Sequence, residues 1–315
     1  MVVHTVTLNP VVDLIYRMDR FEKGTTFRCS EFLQVPAGKG INVSTILSCF
    51  GVSSAAHIIL GNDEAQHYQS ALEKRSIKAE ITTAPVQTRK HCTLLEQSTR
   101  SVTHAQIQSQ PVPAESLLQF EDRLFQSLHK GDIAVFSGSL PKGAESGLYE
   151  KWIQKCHDTG VLPVLDSSGD ALRQGVTASP WMLKSNEHEA EELMGKPVHH
   201  EEDIKHAAQW MQTHYRIPYI ILSLGNRGLA AVGNSRYNRL RVSIDAEKIV
   251  DSVGCGDAAA GGFLYAWLQH KSEAERFAYS IATATAAATV LGPGTIDPAD
   301  VEQLLQRVEC LMCAM

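Results

Sequence analysis

From about Ala114 the chain switches between short apolar runs and amphipathic helical segments, a rhythm that few folds can satisfy. The apolar runs are Ile133–Ser137, Leu162–Asp166, Trp181–Lys184 and Tyr219–Leu224, while Glu115–His129, Ala144–His157 and Glu202–His214 read as helices. Strands that are apolar at nearly every position have to be covered on both faces. The pattern therefore predicts a mostly parallel central sheet flanked by helices on both sides, with right-handed crossovers. Val3–Leu8, β-branched and alternating, adds a strand at the start. Two polar, β-prone stretches fall outside the rhythm, one running to about Gln34 and one from about Ile81 to Pro111. They predict a small sheet, built from segments within about 11–37 and 81–111, layered on the main body. The last third reads as helical. One helix opens near Asp257, and a second covers Glu273–Val290, where Ala and Thr let partners approach closely. A third has Asp297 as N-cap, Pro298 at its first position and Asp300 near its positive end. Without repeats or a linker, residues 1–315 are expected to form a single α/β domain with a β lid.

Composition narrows the function. The 315 residues are 43% hydrophobic, enough for a substantial core. A net charge of -6 offers no basic field to nucleic acid or an anionic membrane, so an anionic ligand has to be held by a few local Lys and Arg side chains. No run approaches the roughly 18–20 apolar residues of a membrane span, and the opening MVVHTVTLNP lacks the plan of a signal peptide, which points to the cytoplasm. The cysteines, odd in number at seven, form no disulfide framework and are expected to be reduced. Cys310 and Cys313 make a C-x-x-C without the second pair a zinc site needs, and are expected in a C-terminal helix.

The richest segment is Asp251-Ser-Val-Gly-Cys-Gly-Asp257-Ala-Ala-Ala-Gly-Gly-Phe263. Gly254 and Gly256 flank Cys255 where extended chain turns into a helix, exposing backbone N–H groups at a positive helix end. That is a cradle for an anion. A carboxylate beside it, Asp257, suits a base taking a hydroxyl proton while the cradle stabilises a transferring phosphoryl group. A capped helix with glycine in its turn would use the same residues. No G-x-x-x-x-G-K-[ST] is present, and no G-x-G-x-x-G opens the first β–α turn. Pro36-Ala-Gly38-Lys39-Gly40-Ile-Asn42 instead combines small residues, a cation and an amide able to donate and accept, which suits a polyol. A helix entry with a solvated lysine is the plainer reading of that loop.

Taken together, and in this order, the Gly38–Asn42 loop and the Gly254–Phe263 segment resemble the two signatures of PfkB-type carbohydrate kinases, whose fold is ribokinase-like. Thr7-Leu-Asn-Pro-Val-Val-Asp13, Ser137-Gly-Ser139-Leu-Pro-Lys-Gly143 and Asp166-Ser-Ser-Gly-Asp-Ala-Leu172 resemble the 1-phosphofructokinase and tagatose-6-phosphate kinase branch. Leu183-Lys-Ser-Asn186-Glu-His-Glu189 is similar to the family's K-P-N-x-x-E, and Ser223-Leu-Gly225-Asn-Arg-Gly228 to its nucleotide-side turn. The resemblance implies ATP, Mg²⁺ and a sugar-phosphate acceptor. It implies Asp257 as general base and the backbone of Gly254, Cys255 and Gly256 as anion hole. Asp13, Gly38, Asn42 and Ser139 would meet sugar hydroxyls, and Lys39 and Arg89 the substrate's phosphate. Lys184, Asn186, Ser223, Gly225 and Gly228 would line the nucleotide site. Glu189 would hold Mg²⁺ through water, a role one carboxylate can fill for so hydrated an ion; by itself it is one acid among several on a helix face. A homodimer through the lid sheet is a further expectation.

Departures gather around the acceptor. Gly61-Asn-Asp63-Glu-Ala-Gln66 lacks the final glycine of G-x-D-x-x-G. Thr88-Arg89-Lys90-His91-Cys92-Thr93 keeps the Thr and Arg of T-R-x-N-x-K and replaces its Asn and Lys, and Ser101-Val-Thr-His104 stands near the place of T-E-I-N. Cys255 and Ala258 replace an alanine and a serine. Lys90, His91 and His104 are either alternative donors or surface groups. Three functions follow: a kinase of a ketohexose phosphate, a kinase of an unphosphorylated sugar or nucleoside, and a catalytically silent sugar-phosphate-binding regulator.

Overall fold

The structure, a computed structural model, describes residues 1–99, 101–234, 236–292 and 295–313. Its first half runs β1 (Val3–Thr7), β2 (Val11–Met18), β3 (Glu31–Ala37), α1 (Lys39–Cys49), β4 (Ser54–Gly61), α2 (Ala65–Glu73), β5 (Lys78–Ala84), β6 (Arg89–Glu96), β7 (Ser101–Ala105), α3 (Ala114–Ser127), β8 (Ile133–Ser137) and α4 (Leu148–Thr159). Then follow β9 (Leu162–Asp166), α5 (Gly169–Gly175), β10 (Met182–Asn186), α6 (Glu187–Met194), α7 (Glu201–Tyr215), β11 (Tyr219–Ser223), β12 (Leu229–Gly233), β13 (Arg236–Val242), α8 (Cys255–Leu268), α9 (Glu273–Ala288), α10 (Pro298–Leu305) and β14 (Val308–Cys313).

Among the described residues ten strands form one sheet in the order β14-β13-β12-β11-β10-β9-β8-β1-β4-β5. From β11 to β5 every pairing is parallel, whereas β12, β13 and β14 are added antiparallel. The continuous apolar runs have the expected cause. Along β8, Ala134 and Phe136 enter a core shared with α3, α4 and α7, while Ile133 and Val135 enter a second core beneath α1, α8 and α9. Close approach on that second side depends on glycine: a Cβ on Gly262 would come within 2.6 Å of the Tyr279 carbonyl of α9. A second, four-stranded sheet has the order β3-β2-β6-β7, with β2 and β6 parallel.

Two expectations fail at the C-terminal end. The last third is not all helical, because β12 and β13 form a hairpin and the chain finishes in β14 rather than in a helix. β13 hides its strand character behind arginines, and Arg239 points inward, where Glu201 binds its Nε and Nη2 at 2.8 and 3.1 Å. Cys310 lies in β14 and is disulfide-bonded, so the expectation of reduced thiols in a helix is wrong there. The N-cap Asp297 and Pro298 at the start of α10 are as expected. No helix among the described residues is long and apolar enough to cross a membrane.

Candidate active site

Strand ends and helix starts converge at one edge of the parallel sheet. α1 begins directly after β3, and its first turn sits on the backbone of β1: a Cβ on Gly40 would lie 2.7 Å from the Val6 carbonyl, and one on Gly38 (φ +148°) 2.6 Å from Thr7 Cγ2. This close seating delivers Lys39 to the C-terminal end of β9. There Lys39 Nζ lies 2.8 Å from Asp166 Oδ1, with Lys184 Nζ of β10 on the same oxygen at 3.7 Å. Asp166 is fully buried, and its Oδ2 has no hydrogen-bond partner. Burial alone would raise its pKa, but Lys184 and Lys39 outweigh it and hold the carboxyl below its ordinary range. Burial also opposes charge on Lys39, yet Asp166 and Asp257 keep its pKa above the usual value.

α8 supplies the other half. Gly254, left-handed at φ +82°, is its N-cap, and Asp257 lies in the first turn, 5% exposed. Asn42 of α1 donates from Nδ2 to Asp257 Oδ2 at 2.7 Å. Burial and then the negative charge of Asp166 push the Asp257 pKa up to about 6, against the pull of Lys39, Asn42 and Lys184. A carboxylate poised there is a base that works near neutrality. The helix's first N–H groups lack intrahelical acceptors and face the same space. Gly256 leaves room for Lys184: a Cβ there would sit 2.5 Å from Lys184 Nζ. Lys184, expected at the nucleotide, thus lies against the cradle. At Cys255 burial, aided by Asp251 and Asp257, raises the thiol pKa to about 11, too high for a thiolate nucleophile.

The remaining expected residues fall into three places. Asn186 and Ser223, ending β10 and β11, line a cavity of about 240 Å³ with Gly225, Glu187, His188, Glu191 and His199. It lies at the carboxyl ends of parallel strands, where open α/β sheets bind ligands. Gly228 stays outside that lining and lets β12 meet β13, since its Cβ would be 2.3 Å from the Leu240 carbonyl. Asn186 and Glu189 form a capping box at the start of α6, with bonds of 3.0 and 2.9 Å. Glu189 is nonetheless buried beside the lysine cluster, and burial, opposed by Lys184 and Lys39, raises its pKa. In the second place, Arg89 donates to the carbonyls of Pro10 and Asn9 at 3.2 and 2.7 Å, and Asn9 Nδ2 donates to Ser139 Oγ at 2.9 Å. Arg89 and Asn9 also border a cavity of about 30 Å³. In the third, Asp13 is buried on β2 and accepts from Thr93 Oγ1 at 2.8 Å.

Sequence reasoning gave no role to Asp166, Asn9 or the Glu187–His199 rim of the larger cavity. Only the quoted Asp166-Ser-Ser-Gly stretch hinted at the first. Among the described residues no three His, Cys, Asp or Glu side chains gather as a metal cage. Glu189 and the unpartnered Asp166 Oδ2 are hard oxygen donors near two lysines, a set that fits magnesium held mainly through water and ligand phosphates.

The family model described as pfkB family carbohydrate kinase matches residues 6–302. The 1-phosphofructokinase of Haemophilus influenzae is 30% identical over 309 residues, covering 98% of this chain and 97% of that protein. The tagatose-6-phosphate kinase of Staphylococcus epidermidis is 28% identical over 309 residues, with 98% of each covered. Among solved structures, phosphofructokinase-2 from Escherichia coli in complex with substrates and products superposes with a TM-score of 0.91 at 22% identity, covering 97% of this chain and 99% of that one. At that identity the likeness is one of fold.

Proposed function

Since the chain belongs to the pfkB family of carbohydrate kinases, we propose that it moves the γ-phosphoryl group of ATP to a hydroxymethyl group of a ketohexose phosphate. Fructose 1-phosphate and tagatose 6-phosphate are the first acceptors to consider, then fructose 6-phosphate. The observation that carries this reading is Asp257: a buried carboxylate with a pKa of about 6, oriented by Asn42, at the mouth of a helix whose free N–H groups attract an anion. Asp257 takes the hydroxyl proton, the acceptor oxygen bonds to the γ-phosphorus, and the bond from that phosphorus to the β-phosphate oxygen breaks. The N-terminus of α8, Lys39 and Lys184 offset the negative charge as it shifts. A bound magnesium ion would neutralise triphosphate charge, with Glu189 reaching it through water. Asn186, Ser223 and Gly225 would hold the nucleotide, and Asp13, Gly38 and Ser139 the sugar.

The test is ADP release with Mg-ATP across free and phosphorylated sugars, run beside Asp257→Asn. Saturable turnover with one ketohexose phosphate, lost in the variant, is expected; none with any sugar would sink the proposal. An unphosphorylated acceptor is favoured by one observation, the engagement of Arg89 with the Asn9 and Pro10 carbonyls. Arg89→Ala separates the two readings. A rise of about tenfold or more in KM confined to phosphorylated sugars supports the first, and an unchanged KM the second. We also infer a single kinase domain working in the cytoplasm as a homodimer, joined through the small sheet. Its edge strand β3 exposes Phe32 and Leu33.

A further inference from the structure

The inner face of the small sheet carries a chain of hydrogen bonds that the reaction above leaves unused. Thr93 on β6 is buried and gives its hydroxyl proton to Asp13 Oδ1 at 2.8 Å. The same hydroxyl lies 3.1 Å from Nδ1 of His104, its register partner on β7. A hydroxyl has a single proton, and Asp13 receives it, so His104 has to donate from Nδ1. The direction is therefore fixed, from His104 through Thr93 to Asp13. With Oδ1 engaged in this way, Oδ2 is the oxygen of Asp13 that a ligand hydroxyl would meet. Asp251 of the catalytic segment is near enough for its charge to act on Asp13. Ile15, two residues beyond Asp13, lies against Gly292, and the amides of Val250 and Asp251 both bond to the Ala288 carbonyl.

Thr93 and His104 also stand where the chain departs from its family's pattern, at the Lys of T-R-x-N-x-K and in the stretch without T-E-I-N. A lysine at that point would read an anion, whereas a hydroxyl backed by an imidazole holds a carboxylate ready for hydroxyls. We propose that Thr93 and His104 are positioning residues that set acceptor specificity by locking Asp13 as a hydroxyl acceptor. This wall of the pocket then takes a hydroxyl-bearing part of the sugar, and a phosphate, where present, lies toward Arg89. The inference rests on the sugar-kinase reading of the site.

The experiment compares kcat, acceptor KM and ATP KM in the wild type, Thr93→Val, Thr93→Ser, His104→Phe and His104→Asn, with Tm recorded for each. Thr93→Val and His104→Phe are expected to raise acceptor KM about tenfold or more, leaving kcat and ATP KM within about twofold. Thr93→Ser and His104→Asn, which keep a hydroxyl and an N–H in place, should return to within about threefold of the wild type. An unchanged acceptor KM in the first two variants would overturn the relay. So would a joint loss of kcat, both KM values and Tm in all four, since that marks a purely structural role. Wild-type turnover of some sugar tests the kinase reading separately. If there is none, calorimetric titration of the same proteins with fructose 1-phosphate and tagatose 6-phosphate decides the relay, and binding that is equal or absent throughout overturns it.

Discussion

Asp257 meets two opposed demands. Its folded-state pKa, about 6, lies above that of an exposed aspartate, so the native state binds the proton more tightly than the unfolded chain. Ionised at neutral pH, the carboxylate therefore costs stability, and the cost fades as pH falls through about 6. Asp257→Asn should lower kcat by about 10²–10⁴. The same variant should keep or raise Tm, by on the order of 2 °C in scanning calorimetry; a clear fall would mean the carboxylate is structural. In the wild type kcat/KM should decline as pH drops below about 6, and an acid limb that stays near pH 4 would rule Asp257 out as the base. Asp166 behaves in the opposite sense. Asp166→Asn leaves two lysines without their shared anion and should cost about 3 kcal/mol or more, read from urea denaturation. The place of Asp257 is legible in the sequence because two glycines precede it at a helix start. That of Asp166 is not, since a carboxylate at a strand end looks alike whether it caps a turn or gathers two cations from distant segments.

At the level of elements, what the sequence reveals depends on what each element buries. The parallel strands and the starts of α1, α8 and α10 are legible because both faces are apolar or because glycine and a capping residue mark the turn. The β12–β13 hairpin and β14 are not, since their pairing is long-range and their side chains include arginines and acids. The N-terminus of α8 can be probed through Gly256. In Gly256→Ala the new methyl meets Lys184 Nζ, a movable group, so the fold should survive while the lysine is displaced. We expect Tm within about 2 °C of the wild type and kcat reduced about tenfold or more, the range lost when one electrostatic donor is removed. A large loss of Tm with normal specific activity would contradict this placement of Lys184.

Across the whole molecule, the small sheet meets the main body near the site and presents a free edge at β3. Phe32→Asp should convert a dimer to a monomer in light scattering while the chain stays folded, because Phe32 is half exposed at 52% on the single chain. A wild type that is already monomeric at micromolar concentration would refute the homodimer. The order of strands in the main sheet also has a consequence for how the chain is made. β1, made before every other described strand, is an interior one: β4 closes one side of it early, but β8 arrives only after residue 137 has been synthesised. Until then the edge of a strand that is buried at every position in the finished fold waits for its neighbour, a long exposure in a crowded cell. The nascent chain should thus be a client of chaperones, released when β8 docks and shielded β1 becomes an interior strand.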